Sequence, residues 1–240
     1  MDSWFGKTSA YYFEPFSVSH ITMLSAAFAC LILLLLFKNR LQPASKFFQW
    51  LRWILFSLLL LSEISYQIWA ITSGVWSFQG HVPLHLCGIA SITAMIGLLT
   101  FNKTWIRISF FIGILPAFLA LITPELPYDY QHYRFWKFFI HHTAIPVACL
   151  FLALSKPSVI TLRSVFFVYF LLILYALIIG FIINPITGAN YLYLAQLPTA
   201  STPLSFFGDG IWYYLNLGLA ALAIFLLQYF TWRRFILKKI

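Results

Sequence analysis

Long apolar segments alternate with short polar ones along almost the whole chain. At about 20 residues for each membrane span, this pattern predicts seven helices. They cover residues 17–37, 48–74, 84–101, 104–122, 136–155, 161–183 and 208–231. No internal repeat and no soluble segment divides the series into separate units. The pattern therefore predicts an all-α polytopic membrane protein, with a single seven-helix domain over residues 1–240.

The basic residues orient the predicted bundle. The chain is 62% hydrophobic and only 9% charged, and twelve of its fifteen Lys and Arg residues fall on one side of the predicted membrane. Only Lys7, Arg134 and Lys137 remain for the other side. Because cytoplasmic segments collect Lys and Arg, we expect the N-terminus outside and the C-terminus inside. The net charge of +9 then reflects topology. It does not indicate a nucleic-acid-binding face, since the basic residues flank spans instead of forming one stripe.

Polar side chains of the predicted spans and their outer connections share one depth, in the outer half of the membrane. Ionisable groups are costly in lipid and are therefore candidates for function. The inner half is almost purely aliphatic, so this clustering predicts one cavity open toward the outer leaflet. The polar side chains at this depth come from five segments and include His20, Glu63, His85, Cys87, His141, His142, Asn190 and Tyr191. Of these, Glu63, His85, Cys87, His142 and Asn190 are expected to line the cavity.

Of the three cysteines, Cys87 is the candidate nucleophile. Cys30 and Cys149 lie among aliphatic residues and are expected to be small buried apolar side chains. Pro83 predicts a helix start that places Cys87 just past the first turn, where the helix dipole favours a thiolate. The general base is expected from the fifth helix. His141 and His142 point about 100° apart, and their spacing does not choose between them.

A Cys–His pair at this depth would face the ester carbonyls of phospholipids. Acyl transfer requires a thiolate, a base that returns its proton to the leaving oxygen, and donors for the oxyanion. We expect His85 or Asn190 to donate to the oxyanion, and Glu63 to orient the imidazole or to remain protonated as a donor. The expected partners are phospholipid and lysophospholipid substrates within the membrane, and the chemistry needs no cofactor. The sequence does not indicate an oligomeric state.

Three other functions compete for the same residues. His20, His85, His142 and Glu63 could bind zinc, but the fifth span lacks HxxxH and HExxH spacing, so no metal is predicted. A retinal protein is excluded because residues 208–231 contain no lysine for the covalent bond. A transporter or small-molecule sensor is the alternative. A cluster confined to one half of the membrane suits a lipid-access cavity better than a transbilayer path.

Three motifs resemble a known family. PLHLCGI at 83–89, FFIHHTAI at 138–145 and NPITGANYLYLAQLP at 184–198 are similar to signatures of a bacterial membrane family often called YwaF. That family is related to the eukaryotic transmembrane protein 164. The similarity extends from about residue 17 to 231 and includes His20 and the Glu63-Tyr66-Trp69 pattern. It implies a seven-helix protein of the bacterial plasma membrane. In the eukaryotic relative it implies cysteine-dependent acyl transfer between phospholipids with a histidine partner.

The resemblance also implies individual roles. Cys87 matches the family's cysteine, and His142 matches its histidine, because relatives often carry Gly at the position of His141. The family's Gly-x-Asn-Tyr turn matches Gly188, Asn190 and Tyr191. The segment PLSFFGDGIWYY at 203–214 departs from the family, whose members tend to read GPWPWY there. We therefore expect the roof of the site to differ.

Overall fold

The computed structural model describes residues 4–197 and 203–237, and these residues form helices and loops without a strand. The helices in chain order are α1 (Val18–Leu36), α2 (Lys46–Thr72), α3 (Phe78–His81), α4 (Leu86–Thr100), α5 (Lys103–Gly113), α6 (Leu115–Ile122), α7 (Tyr133–Ser155), α8 (Leu162–Ile178), α9 (Asn184–Thr187) and α10 (Ile211–Phe235). The all-α prediction is confirmed.

Six helical segments of the described chain are long and apolar enough to cross a membrane, which makes this an integral membrane protein. They are α1, α2, the α5–α6 segment, α7, the segment from α8 through α9, and α10. The segment predicted as the third span is α4, which has 15 residues and is shorter than a typical span. It still reaches both ends of the bundle. The Tyr175 hydroxyl donates to the Leu84 carbonyl just before α4, and Arg52 donates to the Leu98 carbonyl near its end.

Prolines modify two of the predicted spans. The helix expected over 104–122 is interrupted at Ile114, because Pro116 has no N–H to donate to the carbonyl four residues before it. In the same way, α8 widens into a π-helical turn at Ile179–Ile183 before Pro185. That turn carries the chain into α9 and delivers the following loop over the end of the bundle.

The two ends of the bundle differ chemically. At the end that we call the basic end, cationic side chains from α2 and from the end of α7 donate to carbonyls at the C-terminus of α4. Arg52 Nε lies 2.6 Å from the Leu98 oxygen, and Lys156 Nζ lies 2.8 Å from the Phe101 oxygen. Such contacts satisfy carbonyls that a helix terminus leaves unpaired. The opposite end, which we call the site end, carries the loops 73–85, 123–132, 184–197 and 203–210.

Helix α7 forms the centre of the bundle and packs against α1, α2, α4, α5 and α6. Gly113 of α5 permits a close approach to α4 and α7, because the Cys149 sulfur and the Ala90 side chain pack directly against its backbone. Cys149 is fully buried, as predicted. The prediction for Cys30 was wrong, since its side chain is exposed. The buried stripe of α1 repeats every seven residues through His20, Ala27 and Leu34, and Cys30 lies off that stripe.

Candidate functional site

Cys87 lies at the N-terminus of α4. His85 is the N-cap and α4 begins at Leu86, so the predicted start at Pro83 was wrong. The segment before α4 is extended and turns tightly, with the Leu84 N–H donating to the Val82 carbonyl at 2.8 Å. Cys87 is therefore the second helical residue and lies nearer the positive end of the helix dipole than predicted. Within residues 4–197 and 203–237, the N–H groups of Leu86, Cys87 and Gly88 have no acceptor.

Gly88 explains why this turn can exist. The backbone of Pro83 folds back directly onto the Cα of Gly88. A Cβ added at Gly88 would lie 2.6 Å from the carbonyl carbon and 2.8 Å from the Cα of Pro83. Both atoms belong to the backbone and cannot rotate away. The absence of a side chain at Gly88 thus sets the path of the chain that enters α4 and, with it, the position of Cys87.

Replacing Gly88 by Ala should lower the free energy of unfolding by about 1–3 kcal/mol, the usual cost of forcing an extra carbon into a packed site. Gly218→Ala is the matched control, because a Cβ there would meet no atom closer than 3.5 Å. Thermal unfolding of both variants in the same detergent measures the difference. A Gly88→Ala protein as stable as the Gly218→Ala protein would contradict the close packing.

The half-buried Cys87 thiol has one cation and one phenol among its neighbours. Lys137 of α7 and Tyr193 of the loop after α9 both act on it electrostatically. The Lys137 ammonium lies 3.8 Å from the Glu63 carboxylate and 4.2 Å from the centre of the Tyr66 ring. Glu63 also accepts a hydrogen bond from Gln67 at 2.7 Å. The site therefore contains an ion pair between α2 and α7 beside the thiol.

The sequence interpretation missed Lys137 and its neighbour Arg134. Both were counted only as exceptions to the charge asymmetry. One signal could have identified them. Two cations three residues apart share a helix face, and they lie at the end of a predicted span on the side where Lys7 is the only other basic residue.

The hydrogen bond of His142 fixes its tautomer. Its Nδ1 lies 2.9 Å from the Phe138 carbonyl oxygen, and its ring stacks on Phe138. A carbonyl only accepts hydrogen bonds, so Nδ1 carries the proton. Nε2 is then unprotonated, and it has no partner in the described part of the chain. This tautomer is the one that a base acting through Nε2 requires.

His141 faces α2 and is almost completely buried. Its Nδ1 is hydrogen-bonded to the Ser62 hydroxyl, which in turn donates to the Leu59 carbonyl at 3.1 Å. His141 therefore connects α7 to α2. The charge of Lys137 acts on both His141 and His142. The described residues show no hydrogen bond between Cys87 and either imidazole.

His85 lies under a roof formed by the loop after α9. Its ring contacts Tyr191 at 5.2 Å and Tyr193 at 5.3 Å between centroids. The Tyr193 hydroxyl donates to Glu125 at 2.6 Å. Burial, together with the Glu125 carboxylate, raises the pKa of Tyr193, which keeps the phenol protonated as a donor. The roof thus links three loops of the site end.

Asn190 and Tyr191 position this roof through their own contacts. The Asn190 amide oxygen accepts from the N–H groups of Ala195 and Gln196, so its side chain closes its own loop. Tyr191 is fully buried, its hydroxyl donates to the Phe78 carbonyl, and its backbone is held from both sides by the Asn184 side chain. The prediction of Asn190 as an oxyanion donor gains no support from these contacts.

His20 lies at the start of α1, and both of its ring nitrogens are used. Nδ1 accepts from the Phe16 N–H at 2.9 Å, and Nε2 lies 2.8 Å from the Leu121 carbonyl oxygen. The ring is fully buried beside Phe13 and Phe139. These contacts tie α1 to the end of α6. In the described ranges, no group of three or more His, Cys, Asp or Glu side chains could hold a metal ion.

A groove of about 910 Å³ runs between α2 and α7 on the outside of the bundle. We call it the α2–α7 groove. It extends along α2 from Gln49 to Ser65, a distance of about 24 Å at the helical rise per residue. Lys137 and Ser62 line its site end. Cys87 and His142 do not line it, so the groove lies beside the predicted cluster and shares Lys137 with it.

The N-terminal residues 4–7, which we call the N-terminal strap, close over the site end. Their carbonyls accept from Tyr133 N, Trp69 Nε1, His132 Nε2 and the Tyr128 hydroxyl. His132 is the N-cap of α7, where its Nδ1 accepts from the Arg134 N–H at 3.1 Å. Nδ1 can accept only when the ring is neutral. Burial, with the nearby Arg134 charge, lowers the pKa of His132.

Acidification should therefore open the N-cap of α7, because a protonated His132 loses the bond from the Arg134 N–H but keeps the bond to the Gly6 carbonyl of the strap. The lowered pKa means that the neutral ring is favoured in the folded state. The stabilisation is complete above the ordinary histidine pKa of about 6.5 and is lost as the pH falls below that value toward the lowered pKa. Hydrogen exchange of the Arg134 amide, corrected for intrinsic rates, should show less protection at pH 5 than at pH 7.5. His132→Gln should remove this difference. Equal protection of the unmodified protein at both pH values would contradict the assignment.

No curated protein and no solved structure matches the chain. The sequence profile of the TMEM164 family matches residues 15–229, which contain Glu63, Cys87, Lys137, His142 and the roof loop. Since this region is most of the 240 residues, the chain belongs to the TMEM164 family.

Proposed function

We propose that the protein is an acyltransferase that moves acyl chains between phospholipids and lysophospholipids at the outer face of the bacterial plasma membrane. Cys87 is the nucleophile and His142 is the general base. The observation that carries the proposal is the position of Cys87. It is the second residue of α4, next to N–H groups without an acceptor in the described structure, and within the field of Lys137.

In the first half-reaction, His142 Nε2 takes the thiol proton as the Cys87 sulfur attacks the ester carbonyl of a phospholipid. The C–O bond of the ester then breaks. The leaving oxygen takes the proton back from the imidazolium, and a lysophospholipid departs. The acyl group remains on Cys87 as a thioester. Hydrogen bonds of this kind often tighten only when substrate is bound, so the contact between Cys87 and His142 would form in the complex.

In the second half-reaction, the hydroxyl of a lysophospholipid gives its proton to His142 Nε2 and attacks the thioester. The C–S bond breaks, and the Cys87 thiolate recovers the proton from His142. The cycle transfers an acyl group without any oxidation or reduction. The protein and both lipids supply every atom that the cycle needs.

The oxyanion formed in each half-reaction needs donors close to the nucleophile. The N–H groups of Cys87 and Gly88 supply them, since they belong to the nucleophile and the residue after it and have no acceptor in the described structure. The positive charge of Lys137 adds to this stabilisation. Glu63 holds Lys137 through the 3.8 Å ion pair and so positions that charge.

The proposal includes an orientation. We place the site end outside and the basic end inside, with seven crossings that include α4. The cations bound to helix carbonyls at the basic end support this orientation. The contacts at the two ends of α4, to the Leu84 and Leu98 carbonyls, support its inclusion as a crossing. A reporter fused to the C-terminus should be active only in the cytoplasm. Activity only on the outer side would overturn the orientation.

The test of the mechanism is detection of the thioester. Purified protein is incubated with a phospholipid whose acyl chains carry an isotope label, and its peptides are then analysed by mass spectrometry. The label is expected on Cys87 and on neither Cys30 nor Cys149. It should leave the protein when hydroxylamine is added. Absence of label on Cys87 would overturn the covalent mechanism and favour a transporter or sensor that uses the same site for binding.

A further inference from the structure

Arg134 has no anionic partner in the part of the chain that the structure describes. Its guanidinium lies over the rings of Tyr66, Trp69 and Tyr128 at 4.8, 4.9 and 5.8 Å from their centroids. Aromatic faces attract the cation but accept few of its five N–H donors. The side chain is half-buried, so most of its hydrogen-bonding capacity is directed toward a ligand or solvent.

Arg134 and Lys137 together leave an excess of positive charge. Both cations contact the Tyr66 ring, and Glu63 forms the single ion pair found among the described residues. Around the Tyr66 ring, the balance is therefore two positive charges against one negative charge. A planar guanidinium beside an ammonium matches the oxygens of a phosphate group.

The α2–α7 groove adjoins these two cationic side chains and shares Lys137 with them. Lys137 and Tyr133 line its site end, and the rest of its wall is mainly apolar, with Trp53, Leu58 and Ile140. Its length of about 24 Å exceeds half of the ~30 Å hydrocarbon core of a bilayer. A whole acyl chain can therefore lie along it, with a polar headgroup at the cationic end.

We propose that the protein binds one glycerophospholipid with its phosphate on Arg134 and Lys137 and one acyl chain in the α2–α7 groove. The assignment of this lipid as substrate rests on the proposed function, whereas its binding does not. The apolar wall selects for a chain, and the excess positive charge selects for a phosphate above a neutral headgroup. Lys137 connects the lipid site with the thiol, because it lines the groove and its charge also acts on Cys87.

The test measures binding in the Cys87→Ala protein, so that no turnover is needed. Native mass spectrometry is used to compare 1-palmitoyl-2-oleoyl phosphatidylethanolamine with 1-palmitoyl-2-oleoylglycerol, which lacks the phosphate. Arg134→Gln should weaken phospholipid binding about tenfold, the usual effect of losing a charged hydrogen bond, and should leave the diacylglycerol unchanged. Equal loss for both lipids, or no loss, would overturn the phosphate assignment.

The groove is tested with a matched pair of serines. Ser57 lines the groove, whereas Ser25 is an exposed serine of α1 outside it. Ser57→Trp should fill the groove and weaken binding of both lipids at least fivefold, and Ser25→Trp should change neither. Equal effects of the two substitutions would overturn the groove assignment. So would glycerophosphoethanolamine, the headgroup without chains, if it bound as tightly as the phospholipid.

These outcomes separate the binding mode from the chemistry. If the variants behave as expected but no thioester forms on Cys87, the lipid site stands and the acyltransferase proposal fails. If the thioester forms and neither Arg134→Gln nor Ser57→Trp affects binding, the chemistry stands and the substrate occupies another surface.

Discussion

Replacing Cys87 by Ala should reduce acyl transfer by roughly 10³-fold or more, the order expected when a covalent nucleophile is removed. Alanine has no group that can form the thioester, so both half-reactions are lost. The fold should be retained, because the Cys87 side chain is only half-buried and makes no hydrogen bond within the described residues. Transfer of a labelled acyl chain to lysophospholipid in nanodiscs measures the effect.

Cys30→Ala is the control for this experiment. Its side chain is exposed on α1, away from the site end, so the variant should keep close to full activity. Cys149→Ala is a poorer control, because Cys149 is completely buried against Gly113 and its loss would leave a cavity. A Cys87→Ala protein that keeps full activity would rule out the nucleophile.

The second large effect is expected at His142. Glutamine at this position can preserve a hydrogen bond to the Phe138 carbonyl but cannot accept the thiol proton, so activity should fall about 10²- to 10⁴-fold. The Tm should change little, since the polar contact is kept. Single-turnover measurement of thioester formation isolates the step in which the proton is removed.

His141→Gln distinguishes the two adjacent imidazoles. His141 is buried and bonded to Ser62, so this substitution should lower the free energy of unfolding by about 1–3 kcal/mol. Activity per folded molecule should stay near that of the unmodified protein. The reverse result, with activity lost in His141→Gln and kept in His142→Gln, would assign the base to His141.

The sequence predicted the parts of the site that depend on single helices. The three-residue intervals of Glu63, Tyr66 and Trp69 place them near one face of a helix, and the structure stacks the Tyr66 and Trp69 rings at 6.2 Å. Helical periodicity fixes such neighbours without reference to any other segment. The role of Asn190 was not predictable in this way. Its side chain closes its own loop, and loop geometry is not periodic.

Apolar runs and charge asymmetry by themselves determined that this chain is a helical membrane protein, because span length and hydropathy are local and additive properties. They also indicated Cys87 and the histidines as candidates. Only the tertiary structure decided that α4 begins at Leu86, that Lys137 pairs with Glu63 beside the thiol, and that Cys30 faces outward. These outcomes depend on how each helix is rotated against its neighbours and on one close backbone approach at Gly88. Rotation and close packing come from the fit of many side chains together, which no single segment of the sequence specifies.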